Sequence, residues 1–91
     1  MKSRRTREFR ELYNALPAPV KKQADKAYAQ FNEDFDYTGL NFKNVGGNPT
    51  WYSARVGFNY RALCFRAADD GAYIWFWIGT HADYDKLLRL R

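Results

Sequence analysis

At 91 residues the chain has room for one hydrophobic core, and we expect a single domain over residues 1–91. Hydrophobic residues make up 46% of the sequence and aromatic residues 19%, which excludes a disordered chain. The formal net charge of +5 favours a polyanionic partner, either a nucleic acid or an acidic protein.

One cysteine and one histidine exclude an internal disulfide and leave few ligands for a structural metal. We therefore expect neither a metal nor a cofactor. We also expect a cytoplasmic protein, because no apolar stretch is long enough for a signal peptide or a membrane span.

Two amphipathic helices are predicted in the first third of the chain. Thr6 is suited to cap the first helix, and Pro17 and Pro19 fit the first turn of the second. Apolar residues recur at helical spacing in both, at Phe9, Leu12, Tyr13, Leu16, Val20, Ala24, Ala27, Tyr28 and Phe31. The two helices are therefore predicted to form a hairpin on a common core.

The opposite face of the second helix carries three lysines, Lys21, Lys22 and Lys26. A face of this kind is either simply solvated or contacts nucleic acid. Residue types alone leave both interpretations open.

From residue 37 onward the pattern is typical of a sheet. Three strands are predicted, at 51–58, 60–67 and 72–80. They are antiparallel because their connections are short, and the second connection carries an Asp-Gly hairpin signal at Asp70 and Gly71.

Two further strands and a closing helix complete the prediction. Residues 40–45 are a candidate fourth strand, residues 2–5 a candidate edge strand, and residues 81–90 a short helix. We therefore expect an α+β fold, in which two N-terminal helices pack on a curved, mainly antiparallel sheet of three to five strands.

Two arginines are predicted to lie close together on the sheet. Alternation places Arg55 on one face of its strand, with Trp51 and Ser53, and Arg61 opens the next strand across a short turn. Either the two guanidiniums form an anion pocket, or each pairs with an acidic residue such as Asp83 or Asp85.

The last strand alternates Tyr73, Trp75 and Trp77 with Ile74, Phe76 and Ile78. This pattern predicts a central strand buried on both faces. Trp75 and Trp77 then share one face and pack in the core, and stacking on nucleic-acid bases is the alternative.

The only histidine follows this strand. Thr80 is predicted to cap the closing helix, which places His81 in its first turn, where the helix dipole favours a bound anion. An imidazole beside a phosphate is able to act as a base or an acid, with Tyr84 and Asp85 on the same helix face. An inert surface histidine is the alternative.

The order of these elements resembles the RelE/ParE superfamily of toxins from bacterial toxin-antitoxin pairs. The segments YSARVGFNYRAL and IGTHADYDKLL carry the resemblance, which covers nearly the whole chain. It implies a compact toxin with a concave sheet face, held inactive by a cognate antitoxin. The ribonuclease branch cleaves messenger RNA in the ribosomal decoding site, whereas the gyrase-poisoning branch lacks the ribonuclease residues.

Site residues follow from this resemblance position by position. Arg61 resembles the phosphate-stabilising arginine, Arg55 the basic position on the preceding strand, and Lys43 a contact to the RNA backbone. His81 matches the position that is histidine or arginine in the ribonucleases, and Tyr84 resembles their C-terminal aromatic residue.

The resemblance therefore implies a metal-independent messenger-RNA endonuclease acting on the ribosome, with Lys43 contacting RNA. The lysines of the second helix, Lys21, Lys22 and Lys26, are the further candidates for RNA contact. Ser53 stands where some members of the superfamily have a second strand lysine. The alternatives are a ParE-like, non-enzymatic inhibitor of DNA gyrase and an inactive toxin-like binding domain.

Overall fold

The computed structural model describes residues 3–34 and 38–89. The described strands are β1 (Ser3–Arg5), β2 (Lys43–Asn44), β3 (Trp51–Val56), β4 (Tyr60–Arg66) and β5 (Tyr73–Thr80). The described helices are α1 (Arg7–Asn14), α2 (Ala18–Glu33) and α3 (His81–Arg89), and Thr38–Leu40 form a 3-10 turn. The predicted order of elements is confirmed; Lys2 and Leu90, at the ends of two predicted elements, lie outside the described residues.

The five strands form one sheet in the order β1-β5-β4-β3-β2. Strand β3 pairs with β2 and with β4, and β4 pairs with β5, all antiparallel. Strand β1 pairs with β5 in parallel. The predicted α+β fold is therefore confirmed, with the last strand of the chain inside the sheet.

Helices α1 and α2 begin where the sequence predicts. The Phe9 N–H donates to Thr6 Oγ1 over 3.1 Å, and Pro17 precedes the first residue of α2. Phe31, at the end of α2, is 1% exposed and its ring contacts those of Phe42, Tyr73 and Trp75. No described helix is long and apolar enough to cross a membrane.

The two faces of the sheet differ in what lies on them. The face under α1 and α2, called here the covered face, contributes Ala54, Ala62 and Ile78 to the core. The opposite side is called the far face and includes Ser53, Leu63, Arg55 and Arg61, because these residues alternate with the core residues.

A β-bulge corrects the prediction for the last strand. Leu63 is paired with Trp77 and Cys64 with Trp75, so Phe76 is an extra residue in β5. Because one inserted residue reverses the alternation, Trp75 lies on the covered face and Trp77 on the far face. The prediction that the two tryptophans share a face is therefore wrong.

Two other predictions need adjustment. The strand predicted at 40–45 is only Lys43–Asn44, because Leu40 ends the 3-10 turn and Asn41 has a φ of 47°. Leu12, predicted to lie in the buried stripe of α1, is 37% exposed. It lines a groove beside the end of β5, beyond the short strand β1.

Candidate functional site

The two arginines lie directly opposite each other on the far face. Arg55 on β3 is paired with Arg61 on β4, and Arg61 is paired in turn with Gly79 on β5. Side chains directly opposite in an antiparallel pair are close neighbours, and two like charges there repel each other. The register therefore concentrates positive charge across the hairpin that joins β3 and β4.

The contacts of both guanidiniums leave most of their donors free within the described residues. Arg61 donates from Nη1 to the Tyr60 carbonyl over 3.0 Å, and Arg55 donates from Nε to the Gly57 carbonyl over 3.2 Å. A guanidinium has five N–H donors, so one bond each does not saturate them. The pair is therefore available to an anion.

The predicted alternative, in which Asp83 or Asp85 neutralises these arginines, is wrong for the described residues. The ion pairs found there join Arg4 to Asp70, Arg7 to Glu11 and His81 to Asp85. Asp85 therefore lies beside the histidine, and Asp83 contributes its backbone N–H to a helix cap.

Helix α3 begins as the sequence predicts. The Asp83 N–H donates to Thr80 Oγ1 over 3.1 Å, so Thr80 acts as a cap and His81 is the first helical residue. The His81 backbone N–H donates to the Asn59 carbonyl over 2.6 Å. This bond ties the start of α3 to the β3–β4 turn, next to the arginine pair.

The His81 ring lies near two side chains of its own helix, those of Tyr84 and Asp85. Its Nδ1 is 3.5 Å from Asp85 Oδ2, and half of the side-chain surface of each residue is exposed. The Tyr84 ring centroid is 6.1 Å away, with an angle of 32° between the ring planes. Asp85 is therefore placed to orient the imidazole, with Nε2 directed away from the carboxylate.

Trp77 belongs to this region, although the sequence placed it in the core. Its ring centroid is 6.4 Å from that of Tyr84, and a Cβ at Gly79 would lie 2.6 Å from Trp77 Cζ2. The indole therefore lies over the bare backbone of Gly79, which is the cross-strand neighbour of Arg61. Gly79 was the available signal, because a glycine inside a strand often marks a bulge or a close approach.

The four candidate lysines are divided between two regions. Lys43 is paired with Ser53 on the far face, and Lys26 lines a groove together with Arg55. Lys22 is exposed on α2, whereas the Lys21 ammonium lies 5.9 Å from the ring centroid of Tyr13 on α1. The structure therefore brings Lys43 and Lys26 near Arg55 and directs Lys21 towards the other helix.

Solved structures of toxins have the same fold. One chain of a RelB–RelE antitoxin-toxin complex from Methanococcus jannaschii is 17% identical, with a TM-score of 0.66 over 89% of this chain and 93% of that one. The isolated Escherichia coli RelE toxin is 12% identical, with a TM-score of 0.68 and complete coverage of both chains. A RelBE2 toxin-antitoxin complex from Mycobacterium tuberculosis is 20% identical, with a TM-score of 0.58 over 88% and 96% of the two chains.

The sequence itself also has a family match. No curated protein matches it significantly. Residues 18–86 match the family described as the ParE-like toxin domain, and this segment contains β2 to β5, α2, both arginines and His81. The chain therefore belongs to the family of ParE-like toxin domains, within the RelE/ParE superfamily of toxins.

Proposed function

We propose that this RelE/ParE-type toxin is an endonuclease that cleaves messenger RNA on the ribosome and is neutralised by a cognate antitoxin. The observation that carries the proposal is the Arg55–Arg61 pair, which has no carboxylate partner among the described residues and whose connecting turn is bonded to the His81 backbone through the Asn59 carbonyl. The solved complexes of similar fold contain an antitoxin, which supports the proposed partner.

In the proposed reaction the ribose 2′-hydroxyl attacks the adjacent phosphorus. The new 2′-oxygen–phosphorus bond forms as the bond to the 5′-oxygen breaks, which leaves a cyclic phosphate and a 5′-hydroxyl. One proton leaves the 2′-hydroxyl and one reaches the departing 5′-oxygen. The site must therefore supply proton transfer and stabilise additional negative charge on the phosphate.

Arg61 and Arg55 are proposed to stabilise that charge. Guanidinium donors match phosphate oxygens in geometry, and fixed donors aimed at a developing charge contribute most when they need no reorganisation. Cross-strand pairing fixes the two arginines relative to each other, and the Tyr60 and Gly57 carbonyls restrict their side chains.

His81 is proposed to transfer the protons. With Asp85 beside Nδ1, the second ring nitrogen is the one presented to a substrate. It acts as a base when unprotonated and as an acid once it carries a proton. Tyr84 is proposed to stack on or position the substrate beside His81, and Lys43 and Lys26 to contact the RNA backbone.

Primer extension in a bacterial host tests this proposal. The wild-type chain and His81→Ala are induced with one message that is translated and one that lacks a start codon. We expect cuts in the translated message alone, reduced roughly 100- to 10,000-fold by His81→Ala, the range for loss of a general acid or base. Arg10→Ala, on the exposed side of α1, is the control and should cut as the wild type does.

The opposite result has a clear meaning. Growth arrest without cuts in either message, unchanged by His81→Ala and accompanied by DNA damage, would contradict the proposal. It would instead favour non-enzymatic inhibition of DNA gyrase, which needs no proton transfer at His81.

A further inference from the structure

The β3–β4 turn carries an aromatic side chain whose position the proposed reaction does not explain. Phe58 is 83% exposed, whereas Phe9 and Phe31 are 6% and 1% exposed. Burying an aromatic ring removes a large apolar area from water, so a phenylalanine left outside forgoes that stabilisation. A single exposed apolar residue is ordinary in itself, and it is the surroundings of Phe58 that indicate a function.

The turn that carries Phe58 is fixed at both ends. Gly57 has a φ of +60°, and its backbone lies against the Gln23 side chain of α2. On the other side, the Asn59 carbonyl accepts the bond from the His81 N–H. Phe58 therefore projects from a restrained turn, and ordering the turn on binding would cost little conformational entropy.

Phe58 also contacts one arginine of the pair, Arg55. The Arg55 guanidinium carbon is 5.4 Å from the centroid of the Phe58 ring, within the range of a cation–π contact. Arg55 donates at the same time to the Gly57 carbonyl. The ring and the guanidinium therefore form one unit at the end of the hairpin, and Arg55 also lines a groove with Lys26 of α2.

We infer that Phe58 and Arg55 form a subsite for one nucleotide of single-stranded RNA, with the base stacked on the Phe58 ring and its phosphate bound by Arg55. This rests on the proposed function, because it assigns a binding subsite for that reaction's substrate. Exposed aromatic rings beside cationic side chains are the usual means of binding unpaired nucleotides without reading their sequence.

A binding assay on an uncleavable strand tests the subsite. A fluorescently labelled 2′-O-methyl RNA hexamer lacks the attacking hydroxyl, so its affinity for the purified chain is measured by anisotropy without cleavage. We expect Phe58→Ala to weaken binding about tenfold and Phe58→Trp to retain it, because one stacked base accounts for an effect of this order. At 83% exposure, Phe58 is replaceable without loss of the fold, which a thermal unfolding curve checks.

Two controls separate stacking from other effects. A hexamer with the same backbone and abasic residues should bind wild type and Phe58→Ala within about twofold of each other, since nothing is left to stack. Leu12→Ala removes the other large exposed apolar side chain among the described residues, 37% exposed on α1, and should bind the base-bearing hexamer as the wild type does.

Three results would overturn the inference. One is equal affinity of wild type and Phe58→Ala for the base-bearing hexamer, as expected if Phe58 contacts a protein partner instead. Another is equal weakening for the abasic strand, which would mean that the substitution acts only through Arg55. The third is equal affinity of the wild-type chain for the base-bearing hexamer and the abasic hexamer.

The assay also separates this inference from the proposed function. Cleavage on the ribosome without any effect of Phe58→Ala on binding would overturn the subsite alone. Binding that depends on Phe58, in a chain that cuts no message, would overturn the endonuclease and keep the subsite.

Discussion

The covered face and the far face of the sheet are built by alternate residues of the same three strands. On the covered face, Ala54 and Ala62 are 4% and 5% exposed and allow the helices to approach closely. On the far face, the neighbouring positions in the same strands are Arg55 and Arg61. The difference teaches that a period of two separates core residues from the proposed site residues in one short hairpin, because each strand contributes to both faces in turn.

Each face should therefore respond to mutation in its own way. Substitutions on the covered face should change the free energy of unfolding, and substitutions around the arginine pair should change activity while the fold persists. The four predictions below test this separation, from the largest expected effect to the smallest.

A pair of phenylalanines gives the largest contrast in stability. Phe31→Ala should lower the free energy of unfolding by about 3–5 kcal/mol, because it leaves a cavity among three aromatic rings. Phe58→Ala removes the same group from an exposed turn and should change the free energy of unfolding by less than about 0.5 kcal/mol. Urea unfolding of both variants measures this; equal destabilisation would break the comparison.

On the far face, Arg61→Ala should reduce cleavage roughly 100- to 1,000-fold, the range for loss of one fixed donor to a transition-state charge. The unfolding curve of the variant should stay close to that of the wild type, because removing the Arg61 side chain relieves a like-charge contact with Arg55. Primer extension and urea unfolding are the two measurements. A large loss of stability would mean that the arginine supports the fold.

The two threonine caps sharpen the comparison at the helices. Thr6→Ala should cost about 1 kcal/mol of global stability, because α1 buries Phe9 in the core. Thr80→Ala should leave global unfolding almost unchanged, since α3 has no buried residue among those described. The Thr80→Ala substitution should instead reduce cleavage by up to about tenfold, because it weakens the cap of the helical turn that holds His81. Thermal unfolding measures the effect of each variant on stability, and primer extension measures its effect on cleavage. Equal effects of Thr6→Ala and Thr80→Ala on stability would contradict the prediction.

The smallest effect is a pH dependence of stability that arises on the covered face. Burial raises the pKa of the Cys64 thiol, whereas in the unfolded chain it ionises near pH 8.5. Above that pH the unfolded state loses a proton that the folded state keeps, so stability falls as the pH rises, by at most about 1.4 kcal/mol per unit. Urea unfolding at pH 7.5 and 9.0 should show a smaller fall for Cys64→Ala than for the wild type. An identical fall in both would contradict the assignment.

Local patterns predicted most of the fold. The helices follow from the spacing of residues such as Phe9 and Phe31, and the β3–β4 pairing follows from a connection too short for any other arrangement. That short connection also brought Arg55 and Arg61 together. These elements were predictable because their determinants lie within a few residues of one another.

Non-local features were not predictable in the same way. The bulge at Phe76 depends on how β4 and β5 fit together, and it moved Trp77 to the far face. The sequence also did not specify that β1 joins β5, or that Lys21 turns towards Tyr13, because each contact is set by packing between separate elements. The roles of the site residues stay predictions until the activity is measured.

The position of β5 has a consequence for when the proposed site is assembled during synthesis of the chain. β5 is the last strand to be made, yet it lies between β1 and β4 and carries the link to His81. The first described strand, Ser3–Arg5, pairs with a strand near the opposite end of the chain, and such long-range pairings form slowly. In a nascent chain the proposed site is therefore incomplete until β5 and the start of α3 have left the ribosome and β5 has paired with β4.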